Sequence, residues 1–189
     1  MERETIEKIF NFLEEKEGKE VPNKWFESIK LFNLVQKLEN HPDRTKYKHR
    51  GHLDLNRSTI KKLPNKLHVV GRLVLSNCKQ LTKLPNDLYV GQSMWFYYSN
   101  QISELPTKLY VGGNLDLSRT NITKLPDNLY VGYDLELNAL DIVEIPNNLY
   151  VGRNLLIYNT PLDDKYTNEE IKEIVASTGG QIIGDILRI

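Results

Sequence analysis

Few residues in this chain have the repertoire for acid–base, nucleophilic or metal chemistry. There are four histidines, His41, His49, His52 and His68, and one cysteine, Cys78. His49 and His52 are three apart, but they flank Gly51 in a turn instead of sharing a helix face, so a metal-ligand pair is not expected there. A single cysteine excludes an internal disulfide and a cysteine-built metal site. Cys78 falls in a slot that reads as inward, with no base partner in view, so it is expected to be inert and not a nucleophile. The chain has no Gly-x-x-x-x-Gly-Lys loop, no His-Glu-x-x-His and no Gly-x-Ser-x-Gly. Asn56-Arg57-Ser58 and Asn121-Ile122-Thr123 match glycosylation sequons, but Met1-Glu2-Arg3-Glu4 does not open a signal peptide, so both read as accidental. The expectation is a non-enzyme with no catalytic residue, no metal and no cofactor.

The remaining chemistry is recognition by apolar and charged surface. Its densest source is Met94-Trp95-Phe96-Tyr97-Tyr98. Whether those rings meet a partner depends on which of them point outward, and that depends on the element carrying them.

That element is a repeat. Leu-Pro recurs at Leu63-Pro64, Leu84-Pro85, Leu105-Pro106 and Leu125-Pro126, then as Ile145-Pro146, at spacings of 21, 21, 20 and 20. A Leu-x-Val follows each, from Leu67-His68-Val69 to Leu149-Tyr150-Val151. Six residues past that leucine comes an alternating pair: Leu73/Leu75, Met94/Phe96, Leu115/Leu117, Leu135/Leu137 and Leu155/Ile157. Leu53/Leu55 is an earlier copy, opened by Tyr47, so six copies run from about Tyr47 to Leu162. Apolar-x-apolar is a short strand with one buried face, and a coil this short cannot bury that face alone. Stacked coils can, with their strands paired in parallel. Each copy is expected to supply one strand and then fold back, the proline lying in the return outside the sheet. The glycines before the strands (Gly51, Gly71, Gly91, Gly112, Gly132 and Gly152) read as tight turns.

Strand alternation sorts the faces. Between the inward residues stand Asp54, Val74, Trp95, Asp116, Glu136 and Leu156, and the next outward positions are Asn56, Ser76, Tyr97, Ser118, Asn138 and Tyr158. Coil three departs from the small and charged rule. Trp95 and Tyr97 are expected outward together, with Tyr98 at the adjoining turn. Arg72 and Ser76 flank them on one side and Asp116, Ser118 and Arg119 on the other, with Glu136 and Tyr158 further along. Exposed Trp and Tyr are the types enriched where interface energy concentrates. The competing reading is that a long loop or the N-terminal hairpin folds over them. Tyr89, Tyr110, Tyr130 and Tyr150 recur once per coil, which reads as a structural ladder on the outer side.

The stretch Leu125-Pro126-Asp127-Asn128-Leu129-Tyr130-Val131-Gly132-Tyr133-Asp134-Leu135-Glu136-Leu137 resembles leucine-rich repeat proteins in their short, 20–21-residue form, especially repeats in proteins of bacteria and their viruses. The resemblance covers about residues 47–162. It implies an α/β solenoid with a curved parallel sheet of six or seven short strands that binds other proteins through its concave face, without catalysis. It departs at the family's asparagine ladder, occupied here by Ser58, Cys78, Ser99, Thr120, Leu140 and Thr160. Leu140 cannot bond a turn backbone, so coil five is expected to differ locally.

A solenoid needs caps. Residues 1–46 read as a helical hairpin. Ile6, Ile9, Phe10 and Leu13 share one helix face, and Trp25, Phe26, Ile29, Phe32, Val35 and Leu38 lie on a second helix. The pair is either a cap over coil one or a separate adaptor. Repeats fill 47–163. In 164–189, Thr167 and Glu170 form a capping box for a helix to about Ser177, and Ile182–Leu187 reads as a degenerate seventh strand whose register could slip by one residue.

Composition bounds the partners. The chain has 189 residues, 25 basic and 25 acidic, and no apolar run long enough to span a membrane. No global basic excess draws it to nucleic acid or lipid. The neutral total hides a polarity, since residues 51–112 carry net +5 and residues 113–189 net −6. Such a field can steer and orient a partner. The expected function is recognition of an unidentified partner protein in the cytoplasm. The alternatives are a small phage-encoded inhibitor of a host defence protein, acting in a bacterial host's cytoplasm, and a self-assembling structural protein whose copies join as an oligomer.

Overall fold

The structure, a computed structural model, describes residue 31, residues 33–40 and residues 47–189. The repeats form a parallel solenoid with mixed α/β content, as their spacing predicts. Each coil, however, supplies two strands where one was expected, and the described residues form two seven-stranded parallel sheets. The first holds β1 (Lys48–His49), β3 (His68–Val69), β5 (Leu88–Val90), β7 (Leu109–Val111), β9 (Tyr130–Val131), β11 (Tyr150–Val151) and β13 (Gln181–Ile182). The second holds β2 (Leu53–Asp54), β4 (Leu73–Val74), β6 (Met94–Trp95), β8 (Leu115–Asp116), β10 (Leu135–Glu136), β12 (Leu155–Leu156) and β14 (Ile186–Leu187).

The additional sheet is the Leu-Tyr-Val marker itself. Its leucine and valine are buried and its tyrosine half-buried, an alternation that a two-residue period produces. Stacking places each tyrosine on the next. Tyr89, Tyr110, Tyr130 and Tyr150 lie 4.7 Å apart, centroid to centroid, with their planes within 3° of parallel. His68 continues the column at 4.2 Å from Tyr89. That spacing is the hydrogen-bonding repeat of a sheet, and the parallel rings mean that these coils are related almost by pure translation.

The core lies between the sheets. Met94, Phe96, Leu115, Leu117 and their counterparts are buried in one continuous cluster. Val35 and Leu38, from a helical segment at residues 33–39, join that cluster at its N-terminal end. The Glu39 carboxylate accepts from the Lys61 amide at 2.7 Å, which ties this segment to coil one. The helix expected around Ile6–Leu13, and Trp25, Phe26, Ile29 and Phe32, lie outside the described residues. At the other end, helix α1 (Pro161–Lys165) was not anticipated. Its signal was in the sequence: Thr160 caps Asp163 N and Pro161 takes the first helical position. Helix α2 (Asn168–Ser177) has the expected Thr167–Glu170 capping box. The seventh coil pairs Leu155 with Ile186 and Leu156 with Leu187, which settles its register with Ile186 inward.

Two local expectations change. Leu140 leaves the backbone of coil five like its neighbours: Ala139 keeps the left-handed φ of 57°, and its amide donates to Tyr158 O at 2.9 Å. Only the hydroxyl bond is lost, the one that Thr120 and Thr160 make to Leu117 O and Ile157 O at 2.8 and 2.7 Å. The repeated glycines are also not primarily turn residues with unusual φ. A Cβ on Gly132 would be driven into the carbonyl oxygen of Gly112, and one on Gly152 into that of Gly132. At Gly132 and Gly152 the preceding coil's backbone lies too close for a Cβ unless the backbone shifts, although the same slot holds Val70 in coil two and Ile183 in coil seven. Gly51 lies in the first described coil, where the nearest atom to an added Cβ is His49 Nε2 at 3.8 Å.

These two positions make opposite forecasts. Gly132→Ala should lose about 2 kcal/mol or more of stability, because the obstacle is backbone and cannot rotate away. Gly51→Ala should be neutral or slightly stabilising. Urea melts of the two variants against the parent check this, and equal midpoints would contradict the close-approach explanation.

Candidate functional site

The outward slots of the second sheet carry the residues singled out by sequence. Pairing of β2, β4, β6, β8, β10, β12 and β14 lines up Asp54, Val74, Trp95, Asp116, Glu136, Leu156 and Leu187 in one row. Every member but the exposed Asp54, at the row's end, is partly buried, as side chains packed flank to flank on a sheet face should be.

Two clusters form on the coil-three side. The Arg72 guanidinium lies over the Trp95 ring at 5.5 Å from its centroid, so Trp95 is half-buried instead of standing fully outward. Tyr97 and Tyr98 are 36% and 45% exposed and meet edge to face at 5.9 Å. Arg119 sits over the Tyr98 ring at 5.4 Å and donates to its hydroxyl. Both arginines thus make cation–π contacts that hold the aromatic patch in place. Tyr98 has a left-handed backbone, φ 59°, but so do Arg57, Asn77, Arg119, Ala139 and Asn159 in the same slot of other coils. That conformation belongs to the coil and not to the site.

Tyr158 is 54% exposed but stands three coils from Tyr97 along its row, so it belongs to a separate patch with Leu156 and Leu187. Ser76 corrects the expected polar rim. It is fully buried, and its Oγ has no hydrogen-bond partner among the described residues. It stands beside Tyr97 in its row, as does Ser118 on the other side, which is only half-buried.

Between the patches lies an acidic belt. Asp116 and Glu136 are register partners, and Asp134 precedes β10. Burial pushes the Glu136 carboxyl up, and the neighbouring Asp116 and Asp134 charges add to the shift. Asp134 meets the exposed Arg153 at 3.5 Å, and Asp116 accepts from the Ser118 amide at 2.9 Å. Among the described residues no cation pairs with Glu136.

Sequence reasoning missed a second polar ladder, at the turn between the two strands of each coil. His52 Nδ1 accepts from Arg72 N at 3.0 Å, Ser93 Oγ from Asn114 N at 3.2 Å, and Asn114 Oδ1 from Asp134 N at 3.3 Å. Asp134 and then Asn154 continue it at 3.0 Å each. The signal was an acceptor side chain one residue before the inward strand residue in every coil from one to six except coil two, where Arg72 interrupts the ladder. His52 therefore has a turn role, and His49 Nε2 contacts His52 O at 3.0 Å. His41 lies outside the described residues. Cys78 is buried, donates to Leu55 O at 3.1 Å, and has its thiol pKa pushed up by burial, all of which lowers its reactivity.

A groove of about 580 Å³ lies on the other sheet, lined by Lys66, Leu88, Tyr89, Lys108, Tyr110 and Tyr130. Its phenol rings are stacked face to face on one another, so they offer a ligand edges and not faces. Among the described residues no helix is long and apolar enough to cross a membrane. Comparison with family models, curated proteins and solved structures returned no match.

The acidic belt has a thermodynamic signature. Glu136 has a folded pKa above its unfolded value, so the folded state binds more protons through that window. The stability present at acid pH is lost as pH rises through the raised value. Glu136→Gln should therefore be more stable than the parent at neutral pH. The advantage should fade below the ordinary carboxylate range, where both carry no charge at this position. Denaturant unfolding at the two pH values measures it.

Proposed function

We propose that this chain is a non-enzymatic recognition module of the leucine-rich repeat type, and that it takes a partner protein on the outer face of its second sheet. The observation carrying this reading is the coil-three patch. Trp95, Tyr97 and Tyr98 stand together on a sheet face where neighbouring coils place small or charged residues, and Arg72 and Arg119 order them without covering them completely. Rigid aromatics held by arginines lose little conformational freedom on binding, which is how interface hot spots gain energy. The rim of Asp116, Glu136 and Ser118 is polar, as the border of such a patch should be. Coils of 20–21 residues closing in Leu-Pro support the repeat type. In the narrower reading that this repeat form suggests, the chain is a phage product that occupies a host defence protein in the bacterial cytoplasm.

Trp95→Ala and Tyr97→Ala should each weaken partner binding by about 2 kcal/mol, roughly thirtyfold, with little change in melting temperature. Tyr130→Ala, which breaks the stacked column, should do the reverse, lowering stability by about 1–3 kcal/mol and sparing affinity. Calorimetry with a partner purified from bacterial lysate, alongside thermal melts, reads both. An unmoved dissociation constant for the two face variants would defeat this site.

A further inference from the structure

Resting on that reading, the geometry points to the kind of segment the face accepts. We infer that it is an amphipathic helix carrying lysine or arginine between two apolar anchors, laid across the strands. Three features of the row lead there. Val74 and Trp95 make one apolar stretch, beyond which the row closes on Asp54, Leu156 and Leu187 make the other, and Asp116 and Glu136 lie between them. Successive members are one strand apart, about 4.8 Å. A helix advances about 5.4 Å per turn, so a tilt of about 27° from the perpendicular sets one turn over each strand. An extended segment repeats its same-face residues about every 6.7 Å and would need a steeper tilt, about 44°, to keep step with the strands.

The register then dictates the ligand. With residue i over Trp95, residue i+4 meets Asp116, i+7 meets Glu136 and i+11 meets Leu156. All four lie on one helix face. The ends call for large apolar side chains and the two middle positions for cations. Glu136 strengthens the case, because a carboxylate crowded by Asp116 and Asp134, with no cation paired to it among the described residues, gains most from an ammonium or guanidinium arriving with the partner. Asp134 already has Arg153 beside it and plays the smaller part.

The test uses the full chain and two stapled synthetic helices. One has leucine at positions 1 and 12 and lysine at 5 and 8; its twin has glutamate at 5 and 8. Fluorescence anisotropy should show the lysine helix binding at least tenfold tighter. Asp116→Lys combined with Glu136→Lys should invert that order, and Glu136→Gln, which keeps the side chain's shape, should narrow the gap. Equal affinity for the two helices, or a preference untouched by these variants, overturns the inference. If neither helix binds while Trp95→Ala still weakens the purified partner, the face keeps its role and the basic helix is the wrong occupant. If the lysine helix binds the Trp95→Ala variant as tightly as the parent, it is not seated on this face, and the inference and the proposed site both fall.

Discussion

The constraint from which everything else follows is that no coil can bury its own apolar face. A closed turn of 20 or 21 residues has its leucines inward but no second layer to cover their ends, so each coil is stable only against its neighbours. The contact that joins them is backbone. Leu53 N donates to Arg72 O at 2.8 Å on the second sheet and Tyr89 N donates to Leu67 O at 3.0 Å on the first, and the pattern repeats up both sheets. Parallel pairing at this distance forces every side chain to sit on its counterpart one period away. The tyrosine column, the side-chain ladder at the turn and the glycines packed against the preceding coil's backbone are separate results of that one translation.

The same translation leaves little freedom for function. Inward slots are committed to the core, most turn slots to acceptors, and most close-approach slots to glycine. Variation is tolerated on the outward positions of the second sheet, and that is where coil three trades aspartate and serine for tryptophan and tyrosine. The acidic belt beside it is a charge arrangement that burial and like-charge repulsion both disfavour. A fold selected for stability alone has no use for Glu136 between Asp116 and Asp134. Groups held against such a penalty are more often found where something binds.

Much of this was legible in the residues. The period, the inward set, the capping box at Thr167, the seventh strand, the buried Cys78 and the aromatic break in coil three follow from spacing and alternation, which depend on local geometry alone. The first sheet was also encoded in Leu-Tyr-Val. It went unread because three residues of alternation are equally compatible with an extended return, and only pairing with the next coil makes them a strand. Helix α1 escaped for a similar reason. Thr160 was already assigned to the ladder, and its second role as a helix cap depends on what Pro161 begins.

The sequence by itself determined the solenoid, its parallel register and the row of side chains on its outer face, because each is fixed by residues within one period of one another. Only the tertiary structure decided how those side chains meet. Arg72 covers Trp95 from the coil below, Arg119 reaches back to Tyr98, and Ser76 is buried beside Tyr97 although its strand position points outward. Strand periodicity sets the direction of a Cβ but not its surroundings. Those depend on the height and charge of residues about twenty positions away, brought within contact by the stacking of coils.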